Sequence, residues 1–122
     1  MRKILIFIPI SIFLFSCQKQ KQTSIIGGWL EVSAYTERNG QYNWGPATKF
    51  PLKLSFGADG KYSAFNDVPA GNGNYSYDHL NKELRIEIFN PFTTSIYTVS
   101  YLNDDYLIID YNPNYKLKFV KL

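Results

Sequence analysis

Cysteine and histidine each occur once among the 122 residues, and that scarcity narrows the chemistry open to this chain. A single cysteine has no disulfide partner, so stability must come from packing. The lone histidine, His79, lies in a polar turn segment, where a solvated residue is commoner than a general base. No Gly-x-Ser-x-Gly elbow is present. No acidic set has calcium-loop spacing. Asp59, Asp104 and Asp105 fall in short turns, where Asp is favoured for its hydrogen bonds to nearby backbone. Gly71-Asn72-Gly73 precedes no helix that would make it a phosphate cradle. No enzyme activity, cofactor or metal is therefore expected. Charge is equally unassertive: the formal net charge is +3, with no basic stripe, which argues against nucleic acid as a partner.

The strongest local signal is at the N-terminus. Arg2 and Lys3 form a short positive region, followed by an apolar run over 4–15. That run is too short for a spanning helix, which needs roughly 20 apolar residues, and suits a secretory signal. Leu14-Phe15-Ser16-Cys17 then matches a bacterial lipobox, with an apolar residue at −3, a small one at −1 and the thiol that receives a diacylglycerol. Residues 1–16 are read as a lipoprotein signal peptide and Cys17 as the lipidated mature N-terminus. An amide-linked palmitate-type chain there would add to the anchor, and two or more chains hold stably. Gln18, rather than Asp, points to the outer membrane of the cell envelope. Cleavage removes Arg2 and Lys3, which takes the formal charge from +3 to +1. Residues 17–24 (CQKQKQTS) read as a flexible polar tether and 25–122 as one domain.

Within that domain, short alternating runs recur between Gly, Asn, Asp and Pro, the pattern of an antiparallel sandwich or barrel. Eight strands are predicted, over 28–36, 50–56, 61–66, 72–77, 83–89, 95–102, 105–111 and 115–121. One face is apolar in several of them: Phe50, Leu52, Leu54 and Phe56; Leu84, Ile86 and Ile88; Leu107, Ile109 and Tyr111. In the later strands the other face also carries large residues, among them Tyr101, Tyr106 and Ile108, which fits either tight packing or an exposed aromatic surface.

The connections alternate in kind. The second, fourth and sixth are compact and polar (57–60, 78–82, 103–104). The first, third, fifth and seventh (37–49, 66–71, 90–93, 112–114) hold or adjoin Pro46, Pro51, Pro69, Pro91 and Pro113. An up-and-down meander places these two sets at opposite ends. The odd end also collects Tyr42, Trp44, Phe65, Phe92 and Tyr115, which are read as a site for a ligand or a partner.

Gly27-Gly28-Trp29, then Leu54-Ser55-Phe56 with Ala58-Asp59-Gly60-Lys61-Tyr62, Gly73-Asn74-Tyr75 and Asp105-Tyr106-Leu107, resemble lipocalins and fatty-acid-binding proteins, in particular the lipocalin-like domains of small bacterial envelope lipoproteins. The likeness spans about 27–122 and rests on order and spacing. It implies an eight-stranded up-and-down barrel closed at its base by Gly27 and Trp29. In the family an Arg of the last strand usually packs over the Trp; here that strand offers Lys116, Lys118 and Lys121. The expected function is binding of a small apolar ligand at the aromatic end. The alternative is a non-catalytic module with a filled barrel that docks an envelope protein or polysaccharide. A monomer is expected, with its aromatic mouth facing away from its own membrane.

Overall fold

The computed structural model describes residues 24–89 and 92–122. The expected signal peptide, Cys17 and nearly all of the tether lie outside the described residues. Nine strands follow in order: β1 (Gly27–Arg38), β2 (Gln41–Pro46), β3 (Lys53–Phe56), β4 (Lys61–Phe65), β5 (Pro69–Asp78), β6 (Glu83–Ile88), β7 (Thr93–Leu102), β8 (Tyr106–Asn112) and β9 (Tyr115–Lys121). From β3 to β9 each strand pairs antiparallel with the next. β9 then pairs with β1 from Trp29–Lys121 to Tyr35–Lys116, while Gly27–Leu30 of β1 pairs with β3. These eight strands close on themselves, the antiparallel barrel that the alternating pattern predicts.

β2 is additional to that barrel, and it corrects the expectation of a plain connection over 37–49. Its residues pair with Ser33–Arg38, on the same edge of β1 that β3 occupies lower down. Asn39 (φ 55°) and Gly40 (φ 80°) both take left-handed conformations, as a two-residue type I′ hairpin turn requires. The Asn-Gly pair was the available sequence signal. The polar, Gly- and Pro-containing composition of 39–46 masks it.

Inward residues follow the period-two pattern, interrupted at four register shifts, one of them between Ala64 and Phe65 where β4 meets β5. Trp29, Leu54, Phe56, Leu84, Leu107, Ile109 and Phe119 are fully buried along the axis, with Ile86 and Leu117 nearly so. A bulge at Val32 shifts the alternation of β1, turning Ala34 inward and Tyr35 outward. Similar irregularities lie between Val99 and Tyr101 and between Asp110 and Asn112. The first places Val99 and Leu102 inside and leaves Tyr101 exposed. Phe50 departs from its expected inward position: β3 begins only at Lys53, and Phe50 is exposed on the preceding connection.

The two ends differ as the connections imply. Gly57–Gly60, the 79–82 turn and the 103–105 turn share one end with the start of β1 and the close of β9. Side chains brace these turns. Asp59 accepts from the Lys61 amide at 3.1 Å, Asp78 from the Leu80 and Asn81 amides at 3.1 and 3.2 Å, and Asn103 from those of Asp105 and Tyr106 at 2.8 and 2.7 Å. The opposite end carries the β1–β2 hairpin and the longer connections.

Because a Cβ at Gly40 would meet open space, only its positive φ penalises substitution. Gly40→Val should loosen β2 without unfolding the barrel. Amide exchange over 41–46 should accelerate about five- to thirtyfold, following a local cost of roughly 1–2 kcal/mol, with the amides of β8 unchanged.

Candidate functional site

The base of the barrel is built around Trp29, which is fully buried. Its indole nitrogen donates to the carbonyl of Ile25 at 2.9 Å, so its polar atom is satisfied within the chain entering β1. Lys121 lies over the ring, its ammonium 4.5 Å from the centroid, and donates to the carbonyl of Ile26. Of the three lysines on the last strand, Lys121 is the one that packs over the Trp29 ring. Gly27 permits this path: its φ is 127°, and a Cβ there would stand 2.8 Å from the Lys121 Cε and Nζ atoms.

Above this base, Glu31 is the one charged side chain buried among the described residues. It sits where β1 stops pairing with β3 and begins pairing with β2. Its two carboxylate oxygens accept from the backbone amides of Thr48 at 2.6 Å and Leu52 at 3.0 Å. The Glu31 amide in turn donates to the Leu52 carbonyl at 2.9 Å. The carboxylate thereby supplies the acceptors that a neighbouring strand lacks at this seam, and charge-assisted bonds of this kind exceed neutral ones in strength. Glu31 was not singled out in the sequence. An acidic residue two positions after Trp29, on the core-facing side of the strand, was the signal.

A layer of tyrosines occupies the interior toward the other end. Tyr97 and Tyr111 have ring centroids 4.7 Å apart, and Tyr111 and Tyr115 are 6.0 Å apart. Burial pushes the Tyr62 hydroxyl up to about 12, with the Tyr97 oxygen contributing in the same direction. Burial likewise raises Tyr111 well above the ordinary tyrosine value, aided by Tyr62, Tyr97, Tyr115 and Glu31. Tyr62 and Tyr111 are thus neutral phenols packed against an apolar core.

The five residues read as one aromatic mouth do not converge. Tyr115 packs inward against the core. Tyr42 and Trp44 ride on β2 and stack on the outward-facing Tyr35, with centroids 6.1 and 5.5 Å away. Trp44 helps line an open groove of about 450 Å³ on the barrel's outer wall, with Val32, Tyr106, Ile108, Lys118 and Val120. Phe65 lines a second outer groove, of about 440 Å³, with Leu30, Phe50 and Pro51 between Lys49 and Lys53. Phe92 is 65% exposed on the β6–β7 connection. The placement has a simple origin: Trp44 is paired with Tyr35, which the Val32 bulge turns outward, and Phe65 follows the inward Ala64. His79 stands beside Tyr77, 6.4 Å between ring centroids, in a shallow recess with Lys82 and Tyr101.

The buried phenols make stability depend on pH at the alkaline end. Below pH 10 both folded and unfolded chains keep Tyr62 protonated, and its contribution is complete. As pH rises from 10 through about 12 the unfolded chain ionises first, so that contribution is lost. Tyr62→Phe should flatten this decline by on the order of 2 kcal/mol, measured as urea unfolding at pH 9 and pH 11.5.

Comparison with known proteins adds one structural likeness. No family model and no curated protein sequence matches the chain. A crystal structure of an uncharacterized protein from Bacteroides eggerthii DSM 20697 is similar over 81% of this chain and 100% of its own, with a TM-score of 0.57 and 13% sequence identity. At that identity the likeness extends to the fold, a small antiparallel β-barrel, and no further.

Proposed function

We propose that this protein is a lipid-anchored, non-catalytic envelope module of lipocalin-like architecture that works through the outside of its barrel. The carrying observation is the lumen. An eight-stranded barrel is just wide enough either to be filled by side chains or to hold one small ligand. Here Trp29, Leu54, Phe56, Leu84, Val99, Leu107, Ile109 and Phe119, each less than 2% exposed, occupy its axis, with the tyrosine layer above. The exposed aromatic residues lie instead on the outer wall and the rim. This arrangement favours an interaction role over sequestration of a small apolar molecule.

The anchor and the address rest on the sequence: a short apolar leader, a lipobox and a single cysteine at its end. Placement in the outer membrane and action as a monomer belong to the same reading. Protein purified from membranes should show no stoichiometric apolar companion by native mass spectrometry or solvent extraction. A one-to-one lipid or fatty acid released on unfolding would restore the ligand-carrier reading. Cys17→Ser should abolish incorporation of labelled palmitate and move the chain from the membrane to the soluble fraction. Unchanged labelling would remove the anchor.

A further inference from the structure

We propose that the wall of the barrel centred on β1 is a membrane-docking face, which lays the domain on its side against an anionic bilayer. This rests on the lipid-anchor reading above and replaces the orientation expected from the sequence, with Trp44 facing away from the membrane, by a side-on one.

Three observations on different levels support it. The first is composition. Leu30 and Val32 are close neighbours on β1, and the two outer grooves meet there: Phe50 and Phe65 on one side, Trp44 and Tyr106 on the other. Tryptophan and tyrosine at the surface suit the headgroup level of a bilayer, where one part of the ring is apolar and the other wet.

The second is charge. Arg38, Lys49, Lys53, Lys116 and Lys118 all fall on β1 or on the strands and connection that adjoin it. Lys118 and Lys116 lie over the Tyr106 and Tyr35 rings, 4.5 and 5.4 Å from the centroids, at the edge of the aromatic surface. Against them stand Glu37, Asp67 and Asp110, the last ion-paired with Lys116 at 3.8 Å. Asp78, Glu83, Glu87, Asp104 and Asp105, with Lys82 and Arg85 among them, belong to the β5–β8 side and its turns, and Asp59 and Lys61 lie on the β3–β4 hairpin between the two sides. The wall around β1 thus carries an excess of positive charge and the β5–β8 side an excess of negative charge, the polarity an anionic lipid surface would orient.

The third is the anchor's place. The tether from Cys17 to Ser24 spans at most about 28 Å and runs directly into β1, the strand at the centre of this wall. It also carries Lys19 and Lys21.

The two tryptophans make the test direct, since Trp29 is 0% exposed and Trp44 43% exposed. The full chain, purified from membranes, would be reconstituted into phosphatidylcholine vesicles with and without phosphatidylglycerol, each containing acyl-brominated lipid. Intact mass reports acylation of Cys17 separately. Expected is strong quenching of Trp44 in the anionic vesicles and little in Trp44→Phe, which retains only the enclosed Trp29. Replacing Lys49, Lys53 and Lys118 by Gln should lower the ratio of docked to free domain about fivefold per lysine. Absence of Trp44 quenching in an acylated, folded protein overturns the docking face, as does burial of Trp44 in a chain dimer shown by crosslinking. An unacylated chain whose Trp44 is still quenched by added anionic vesicles overturns the anchor and keeps the face.

Discussion

β1 hydrogen-bonds along both edges, to β9 on one and to β3 and then β2 on the other, and this double engagement turns a meander into a closed barrel. Closure removes the edges of the barrel strands that would otherwise invite pairing with other chains, and β2, paired with β1 alone, keeps one edge free. It also fixes which side chains meet inside. Trp29 and Glu31, two residues apart on β1, serve that closure differently: one fills the base, and the other completes the backbone hydrogen bonding where β1 changes partner. Both are buried because the ladders on each side hold β1 in register, and neither has freedom to serve as a mobile binding group.

From that constraint follows the division of labour across the barrel wall. The lumen is committed to packing, with aliphatic and aromatic residues toward the base and phenols above them. Surface aromatic residues are left to the outside. Bulges settle which residues take which role, since each shifts the alternation by one. Tyr35 and Tyr101 face outward because of them, although a strict alternation would send their neighbours there. A small number of backbone irregularities therefore sets the chemical character of the exterior.

Strand existence and core faces were legible where alternation was uninterrupted. Leu107, Ile109 and Tyr111, like Leu84, Ile86 and Ile88, announce their inward side, because burial and period two coincide. The sorting of connections by parity was legible too, since it follows from topology. Less visible was β2, where Asn43, Gly45 and Pro46 break up the strand-favouring Tyr42 and Trp44 and which forms because Asn39-Gly40 folds it back onto β1. The direction of Tyr42, Trp44 and Phe65 was also hidden. It depends on register, and a one-residue shift moves a side chain from one face of the sheet to the other. The lysine over Trp29 could be narrowed to three candidates but chosen only once β9 had closed against β1.

The seam at Glu31 has a bearing on how such a domain can diversify. Closure of the barrel pairs Leu30 of β1 with Lys53 of β3, so the chain that runs out past Arg38 and returns to Lys53 is an excursion whose base is already fixed side by side. Lengthening or rewriting an excursion of that kind costs little, because loop-closure entropy grows only slowly with length. The carboxylate of Glu31 anchors its return at two backbone amides, which any residue other than proline provides. The β2 arm can therefore vary in sequence while the barrel keeps its shape, giving one scaffold a replaceable contact surface.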